Sequence, residues 1–179
     1  VFLFVGRLIK PKNIYLILDA LKILSDSGQN FKMIYVGDGD EKSRLRAAIK
    51  AYGLEHKVSA VGKILDKTLL KALYCRADLF LFPSVYDSDG IVKYEAAAFG
   101  TPSLLLAGSN AACGITDGVN GFLCGPSPKN MAEKIKALLA DKELLKTVGD
   151  GARNTIYRQW DDIVDELYAI YCEVLAKTK

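Results

Sequence analysis

The stretch Asp87-Ser88-Asp89-Gly90-Ile91-Val92-Lys93-Tyr94-Glu95 sets three carboxylates and a glycine close together. It follows the apolar run Leu79-Phe80-Leu81-Phe82, stopped by Pro83, and leads into the small-residue segment Ala96-Ala97-Ala98-Phe99-Gly100. That order reads as buried strand, loop, then helix. Two chemistries fit it. Asp87-Ser88-Asp89 spells D-x-D, a spacing that can hold a divalent cation against phosphates. The competing reading uses the backbone: amides from Asp89, Gly90, Ile91 and Val92 open a helix and can cradle a phosphate or sugar hydroxyls, with the helix dipole behind them. Glu95 falls in the first two turns of that helix, where its carboxylate could accept hydrogen bonds from a neutral diol. The bland alternative is a solvated loop and a solvated helix glutamate, but the neighbours Tyr94, Ala96, Ala97 and Ala98 suit a packed helix.

A second candidate is the segment Gly6-Arg7-Leu8-Ile9-Lys10-Pro11-Lys12, after the apolar run Val1–Val5. It is neither the G-x-G-x-x-G dinucleotide fingerprint nor the G-x-x-x-x-G-K-[ST] phosphate loop. It does place a guanidinium and ammonium groups beyond a strand. Arg7 can grip a phosphate bidentately and Lys12 can add a point charge; the bland reading is a solvated basic loop. Gly37-Asp38-Gly39 also invites a phosphate-loop reading, but a turn after a strand needs such residues for its backbone angles, and the structural explanation carries more weight.

The elements that must position these groups alternate along the chain. Short apolar runs at Val1–Val5, Met33–Val36, Val58–Val61, Leu79–Phe82, Ser103–Leu106 and Phe122–Leu123 predict strands. Between them, apolar residues at helical spacing predict helices: Ile14, Leu18 and Leu21; Leu45, Ala48 and Ile49; Leu69, Leu70 and Leu73, with Asp66 as N-cap; and Gly90 to Phe99. A long polar loop runs from Gly108 to Gly121. After Pro126 the pattern is wholly helical, with Ser127-Pro128 and Asp141 as helix starts and Ile163, Leu167, Ile170 and Val174 along a last helix. Strands that are apolar throughout, joined through helices, imply a parallel sheet covered on both faces. The expected fold is α/β, a doubly wound parallel sheet of about six strands with extra C-terminal helices.

Bulk properties narrow the function. The chain has 179 residues, which suits one domain. A net charge of +3 is no nucleic-acid footprint. Cys75, Cys113, Cys124 and Cys172 are scattered and His56 is the single histidine, so neither a zinc framework nor a disulfide set is expected, and reduced thiols point to a cytoplasmic protein. No signal peptide is expected from the pattern, and the sequence holds no apolar run of about 18 residues. The chain begins inside a buried-strand pattern without Met, so a longer parent chain is expected.

Taken in order, the motifs resemble the C-terminal, donor-binding domain of GT-B glycosyltransferases, most closely the retaining family 4 group, over nearly the whole chain. Gly6-Arg7-Leu8 with Lys12 is similar to the strand–G-R-L–lysine opening of that domain, and Val36-Gly37-Asp38-Gly39 to its V-G-D-G. Gly90, Glu95-Ala96 and Gly100-Thr101-Pro102 match the second half of E-G-F-G-x-x-x-x-E-A and its G-T-P sequel. Gly118-Val119-Asn120-Gly121-Phe122-Leu123 resembles G-x-N-G-F-L, and Gln159-Trp160-Asp161 the aromatic start of the last helix. Three departures stand out. Asp87 replaces the first glutamate, Ser88 and Asp89 replace Gly and Phe, and Asn110-Ala111-Ala112-Cys113 lacks the usual G-G-x-x-E run.

The resemblance implies a nucleotide-diphosphate-sugar donor, held without a metal or other cofactor. Arg7 and Lys12 would hold the diphosphate, Asp87 the donor sugar and Glu95 the ribose, with Gly6, Asp89, Gly90, Ile91 and Val92 around them and the base against Gly62, Lys63 and Ile64. The acceptor, a sugar or glycolipid, would be carried by an N-terminal domain outside this chain, and the full-length protein could associate peripherally with the inner face of the plasma membrane. A sugar-nucleotide epimerase or phosphorylase of the same architecture, or a non-catalytic nucleotide-binding domain, is the alternative. A response-regulator receiver fails, because the first strand ends in Gly6-Arg7 and the third in Gly62 rather than in acidic residues.

Overall fold

The computed structural model describes residues 1–177. The strands are β1 (Phe2–Val5), β2 (Met33–Val36), β3 (Val58–Gly62), β4 (Leu79–Leu81), β5 (Ser103–Leu106) and β6 (Phe122–Cys124). The helices are α1 (Ile14–Asp26), α2 (Lys42–Ala51), α3 (Lys67–Arg76), α4 (Ile91–Ala98), α5 (Pro128–Leu139), α6 (Lys142–Thr155) and α7 (Trp160–Lys177). All six strands form one parallel sheet in the order β3-β2-β1-β4-β5-β6. The chain starts at β1 in the middle, winds outward to β3, then returns across to β4 and winds the other way. The reversal between β1 and β4 opens a crevice at their carboxyl ends.

Local chemistry explains where the helices begin. The Asp66 carboxylate accepts from the amides of Thr68 and Leu69, Ser127 Oγ from that of Asn130, and Asp141 from that of Leu144. Right-handed crossovers put α1, α2 and the returning α5 on one face and α3, α4 and α6 on the other, in keeping with the packing of α1 on α5 and of α4 on α6. The core is continuous. Phe2, Leu3 and Phe4 of β1, Leu79, Phe80 and Leu81 of β4, and Leu104, Leu105 and Leu106 of β5 are buried. β3 departs from the all-apolar pattern, alternating buried Val58, Ala60 and Gly62 with exposed Ser59 and Val61, because it is an edge strand. The Gly108–Gly121 loop contains a turn of 3-10 helix at Asn110–Ala112. In α7, Leu167, Ile170 and Val174 are exposed, so its apolar stripe adds nothing to this core.

The loops beyond β1, β2 and β3 are laced by backbone bonds: Gly6 N–H donates to Val36 O (3.0 Å), Leu8 N–H to Asp38 O (2.9 Å) and Gly37 N–H to Gly62 O (2.9 Å). This closeness explains Gly37-Asp38-Gly39. A Cβ on Gly37 would sit 1.8 Å from Gly6 O, and one on Gly39 2.5 Å from Leu8 O. The V-G-D-G segment is therefore a buttress under Gly6-Arg7-Leu8. Gly37→Ala is expected to destabilise the fold by about 3 kcal/mol or more. Gly53→Ala, also at positive φ but with nothing within 4 Å of the new methyl group, should cost about 1 kcal/mol. Urea denaturation of both variants checks the contrast.

Candidate functional site

The crevice between β1 and β4 is closed by two loops that dock on each other. Asn13 ends the basic loop in the left-handed conformation (φ 52°), which asparagine tolerates better than other side chains. Its Nδ2 donates to Pro83 O at 2.9 Å, and Val85 N–H donates to Pro11 O at 3.3 Å. Between these contacts, Lys12 Nζ donates to both carboxylate oxygens of Asp87. The ammonium also lies over the Phe82 ring, 5.1 Å from its centroid, and Lys12 is only 8% exposed. Burial raises the Asp87 carboxyl pKa, but hydrogen bonds from Lys12 and Ser84 and the charges of Lys12 and Arg7 outweigh it and hold the group below the ordinary range. Arg7 itself is exposed, and its side chain makes no hydrogen bond or ion pair among the described residues.

The second cluster surrounds the start of α4. Gly90 is its N-cap at φ 76°; a Cβ there would meet Phe82 at 2.8 Å and Ala111 at 3.7 Å. Asp89 and Asp87 have different lysine partners. Asp89 Oδ1 accepts from Lys93 Nζ at 2.6 Å and its Oδ2 from Tyr94 Oη at 2.6 Å. Burial pushes the Asp89 pKa up, yet these two bonds and the lysine charge bring it below the ordinary value. Burial and the same carboxylate push Tyr94 up to about 12. Glu95 is half-buried, and its Oε2 accepts from Tyr74 Oη of α3 at 2.7 Å. Burial, then this bond, raise the Tyr74 pKa. Tyr74 in turn stacks on Phe99, centroids 5.9 Å apart.

The candidate site residues lie at the carboxyl edge of the sheet: Gly62 ends β3, and the others are on the loops after β1, β3 and β4 or on α4. Gly62 is buried, Lys63 exposed and Ile64 half-buried, beside the loops of Gly6 and Gly37. Sequence reasoning missed Lys93, Tyr74, Tyr94 and Phe82. The spacing of Asp89 and Lys93, an i,i+4 ion-pair spacing, was a usable signal for Lys93; nothing local marks Tyr74. A cavity of about 220 Å³ lies at this edge, between Val85, Leu106, Ser109, Asn110 and Pro126. A larger one, about 360 Å³, opens at the opposite edge near Arg76, Pro102 and Lys146, away from the converging loops. No helix among the described residues is long and apolar enough to cross a membrane.

A doubly wound parallel sheet with charged loops meeting at its switch point defines a Rossmann-like ligand-binding domain. Comparison with known proteins makes this specific. The family model described as glycosyl transferases group 1 matches residues 1–155, and the chain belongs to that family. It is 35% identical over 173 residues to an uncharacterized glycosyltransferase of Methanocaldococcus jannaschii, covering 94% of this chain and 44% of that one. Sucrose-phosphate synthase of Thermosynechococcus elongatus superposes with a TM-score of 0.83 at 26% identity, over 98% of this chain and 45% of that one. Anabaena HepE, solved in complex with UDP and glucose, superposes with a TM-score of 0.75 at 27% identity, over 86% of this chain and 42% of that one. The fold is the Rossmann-like half of a GT-B fold, and the chain spans less than half the length of these relatives.

The Lys12–Asp87 pair makes a signed prediction. The folded pKa of Asp87 lies below its unfolded value, so the stability it contributes is fully present above about pH 4 and is lost as pH falls through the folded value. Asp87→Asn strands a buried ammonium and should cost about 2–3 kcal/mol near pH 7. The gap between wild type and variant should be smaller at about pH 3, because the stability the paired carboxylate contributes falls as the unfolded chain takes up its proton below about pH 4. Urea melts at both values measure it.

Proposed function

We propose that this chain is a single nucleotide-sugar-binding domain, the donor half of a retaining, hexosyltransferase-type glycosyltransferase. The parent enzyme moves a sugar from a nucleotide-diphosphate sugar to an acceptor held by another domain, in glycan or glycoconjugate synthesis. The carrying observation is Arg7, a guanidinium without a partner among the described residues, at a crevice where the neighbouring lysines Lys12 and Lys93 already face carboxylates. With exposed Lys10 and Lys63, whose side chains also make no hydrogen bond or ion pair among the described residues, it gives this edge positive charge to offer a diphosphate. HepE, the relative solved with UDP and glucose, supports the substrate class.

The roles follow from the chemistry of transfer. When the sugar–phosphate bond breaks, negative charge grows on the departing diphosphate. Fixed cations and helix amides already aimed at that position stabilise it without reorganising. Arg7 and Lys12 take the diphosphate, with the backbone of Gly6 beside it and the amides of Asp89, Gly90, Ile91 and Val92 opposite. Asp87, one methylene shorter than a glutamate, orients the donor sugar. Glu95, held at one oxygen by Tyr74, takes the ribose hydroxyls. Gly62, Lys63 and Ile64 form the shelf for the base. Each loop aspartate is matched by an ammonium, so neutralising the phosphates falls to protein cations rather than to a metal. Four free thiols agree with a reducing, cytoplasmic setting. With the acceptor side on another domain, the isolated chain binds nucleotide and transfers little or no sugar.

Calorimetry with UDP, GDP and ADP tests this. At least one should bind, and no binding by any at about millimolar concentration overturns the reading. Arg7→Ala should weaken the bound nucleotide about tenfold or more while changing nucleoside affinity less than about twofold; equal losses contradict the assigned role. Glu95→Gln should weaken nucleotide and nucleoside together. Magnesium should change neither affinity, and a strict magnesium requirement would restore the D-x-D metal reading.

A further inference from the structure

Lys93 is the most buried charged residue among the described residues, 1% exposed, yet it lies at the start of α4. A cation there opposes the helix dipole, and burying one is costly unless every donor is used. All three ammonium donors have acceptors: Asp89 Oδ1 at 2.6 Å, Ala111 O at 3.0 Å and Cys113 O at 2.9 Å. The ammonium also lies 5.0 Å from the Tyr94 ring centroid. These acceptors come from two different loops. Asp89 belongs to the loop after β4, which also carries Asp87; Ala111 and Cys113 belong to the loop after β5. The cavity of about 220 Å³ lies between the same two loops, with Val85 on one side and Ser109 and Asn110 on the other. Ligand cavities for drug-sized molecules begin at about 300 Å³, so this space suits a single sugar-sized group rather than a whole nucleotide.

We infer that Lys93 is a positioning residue for the donor sugar: its buried ammonium ties the loop after β4 to the loop after β5 and sets the distance between the two walls that receive the sugar. The inference rests on the donor-site reading above. The tie also pairs the Asp89 carboxylate with an ammonium, so that it does not meet an incoming diphosphate as a bare charge. Further along, the same loop is held by Asn120, which accepts from Thr116 N–H, and by Lys134, which donates to Asp117; at its Ala111–Cys113 turn the side-chain tie is Lys93. An ion pair of this kind adds little net stability compared with an apolar pair; what it adds is a single geometry.

Lys93→Met keeps the length of the side chain and removes the tie. Two readouts separate the possibilities. Amide hydrogen exchange at Ala112, Cys113 and Ile115, whose N–H groups bond within the loop, should speed up about tenfold or more relative to wild type. In Gly53→Ala, a variant destabilised far from the site, these amides should change only as much as the rest of the protein. In calorimetry, UDP-glucose affinity should fall about tenfold while UDP affinity changes less than about twofold, because only the sugar meets both walls. Unchanged exchange in the loop overturns the tie. Faster exchange with equal losses for UDP and UDP-glucose overturns the positioning role and leaves a structural one. If the wild type binds UDP but gains nothing from the glucose, the sugar-wall assignment falls while the donor reading stands. If the wild type binds none of UDP, GDP and ADP, the donor reading falls, and with it the sugar role, whatever the exchange shows.

Discussion

The site depends on a mutual neutralisation across the switch point. The loops after β1 and β4 carry opposite charge and are brought together only because the chain reverses its winding between those strands. Lys12 and Asp87, 75 residues apart, meet over the face of Phe82 with little water access. Neither partner could be buried alone: an unpaired ammonium or carboxylate in that position would carry several kcal/mol of desolvation. The pair therefore behaves as a latch. It fixes the spacing of the two loops while leaving Arg7, five positions from Lys12, in solvent.

Phe82 links the latch to the second cluster. Its ring receives the Lys12 ammonium, lies 5.7 Å from Phe80 and 6.1 Å from Phe4, and touches the space above Gly90. Gly90 must lack a side chain there, both for its positive φ and because a Cβ would lie 2.8 Å from Phe82. The hydrophobic core thus extends directly into the floor of the crevice. The start of α4 is pinned from below by an aromatic ring, from one side by Ala111 and from the other by Tyr74 holding Glu95. Rigid elements carry the polar groups, and the groups themselves are set by further hydrogen bonds, which is the arrangement that precise binding needs.

Much of this was legible in the sequence. β2 and β5 fall at the residues where apolar runs place them, and Asp66, Ser127 and Asp141 cap the helices they precede. Those signals are local: a periodicity and a capping side chain act over a few residues. That the candidate residues gather at one edge was legible for a related reason, since residues at strand carboxyl ends meet at one edge of a parallel sheet. What each carboxylate touches was not. Asp87 and Asp89, two residues apart, point to lysines on different elements, and Glu95 takes a hydroxyl from a helix 21 residues earlier. Spacing alone favours grouping neighbouring acids, whereas the fold separates them. Pairings of that kind are decided by how α3, α4 and the loop after β5 pack, which no local pattern encodes.

The two lysine–aspartate pairs also explain how a crevice with three acids can suit an anion. Counting Arg7, Lys12 and Lys93 against Asp87, Asp89 and Glu95, the formal charges cancel, yet they are not evenly placed. Asp89 and Lys93 are joined on the side of the loop after β5, Asp87 and Lys12 cancel at the centre, and Glu95 is tethered to Tyr74 toward α3. Among the described residues, positive charge without an ion pair remains on the side of β1, at Arg7 and Lys10, and at Lys63 after β3. The field therefore runs across the crevice instead of filling it. A diphosphate with neutral groups at both ends fits such a field better than a compact anion, because its charge sits between two neutral hydrogen-bonding ends. On the proposed donor-site reading, the acids meet hydroxyls and the lysines let them lie near a phosphate.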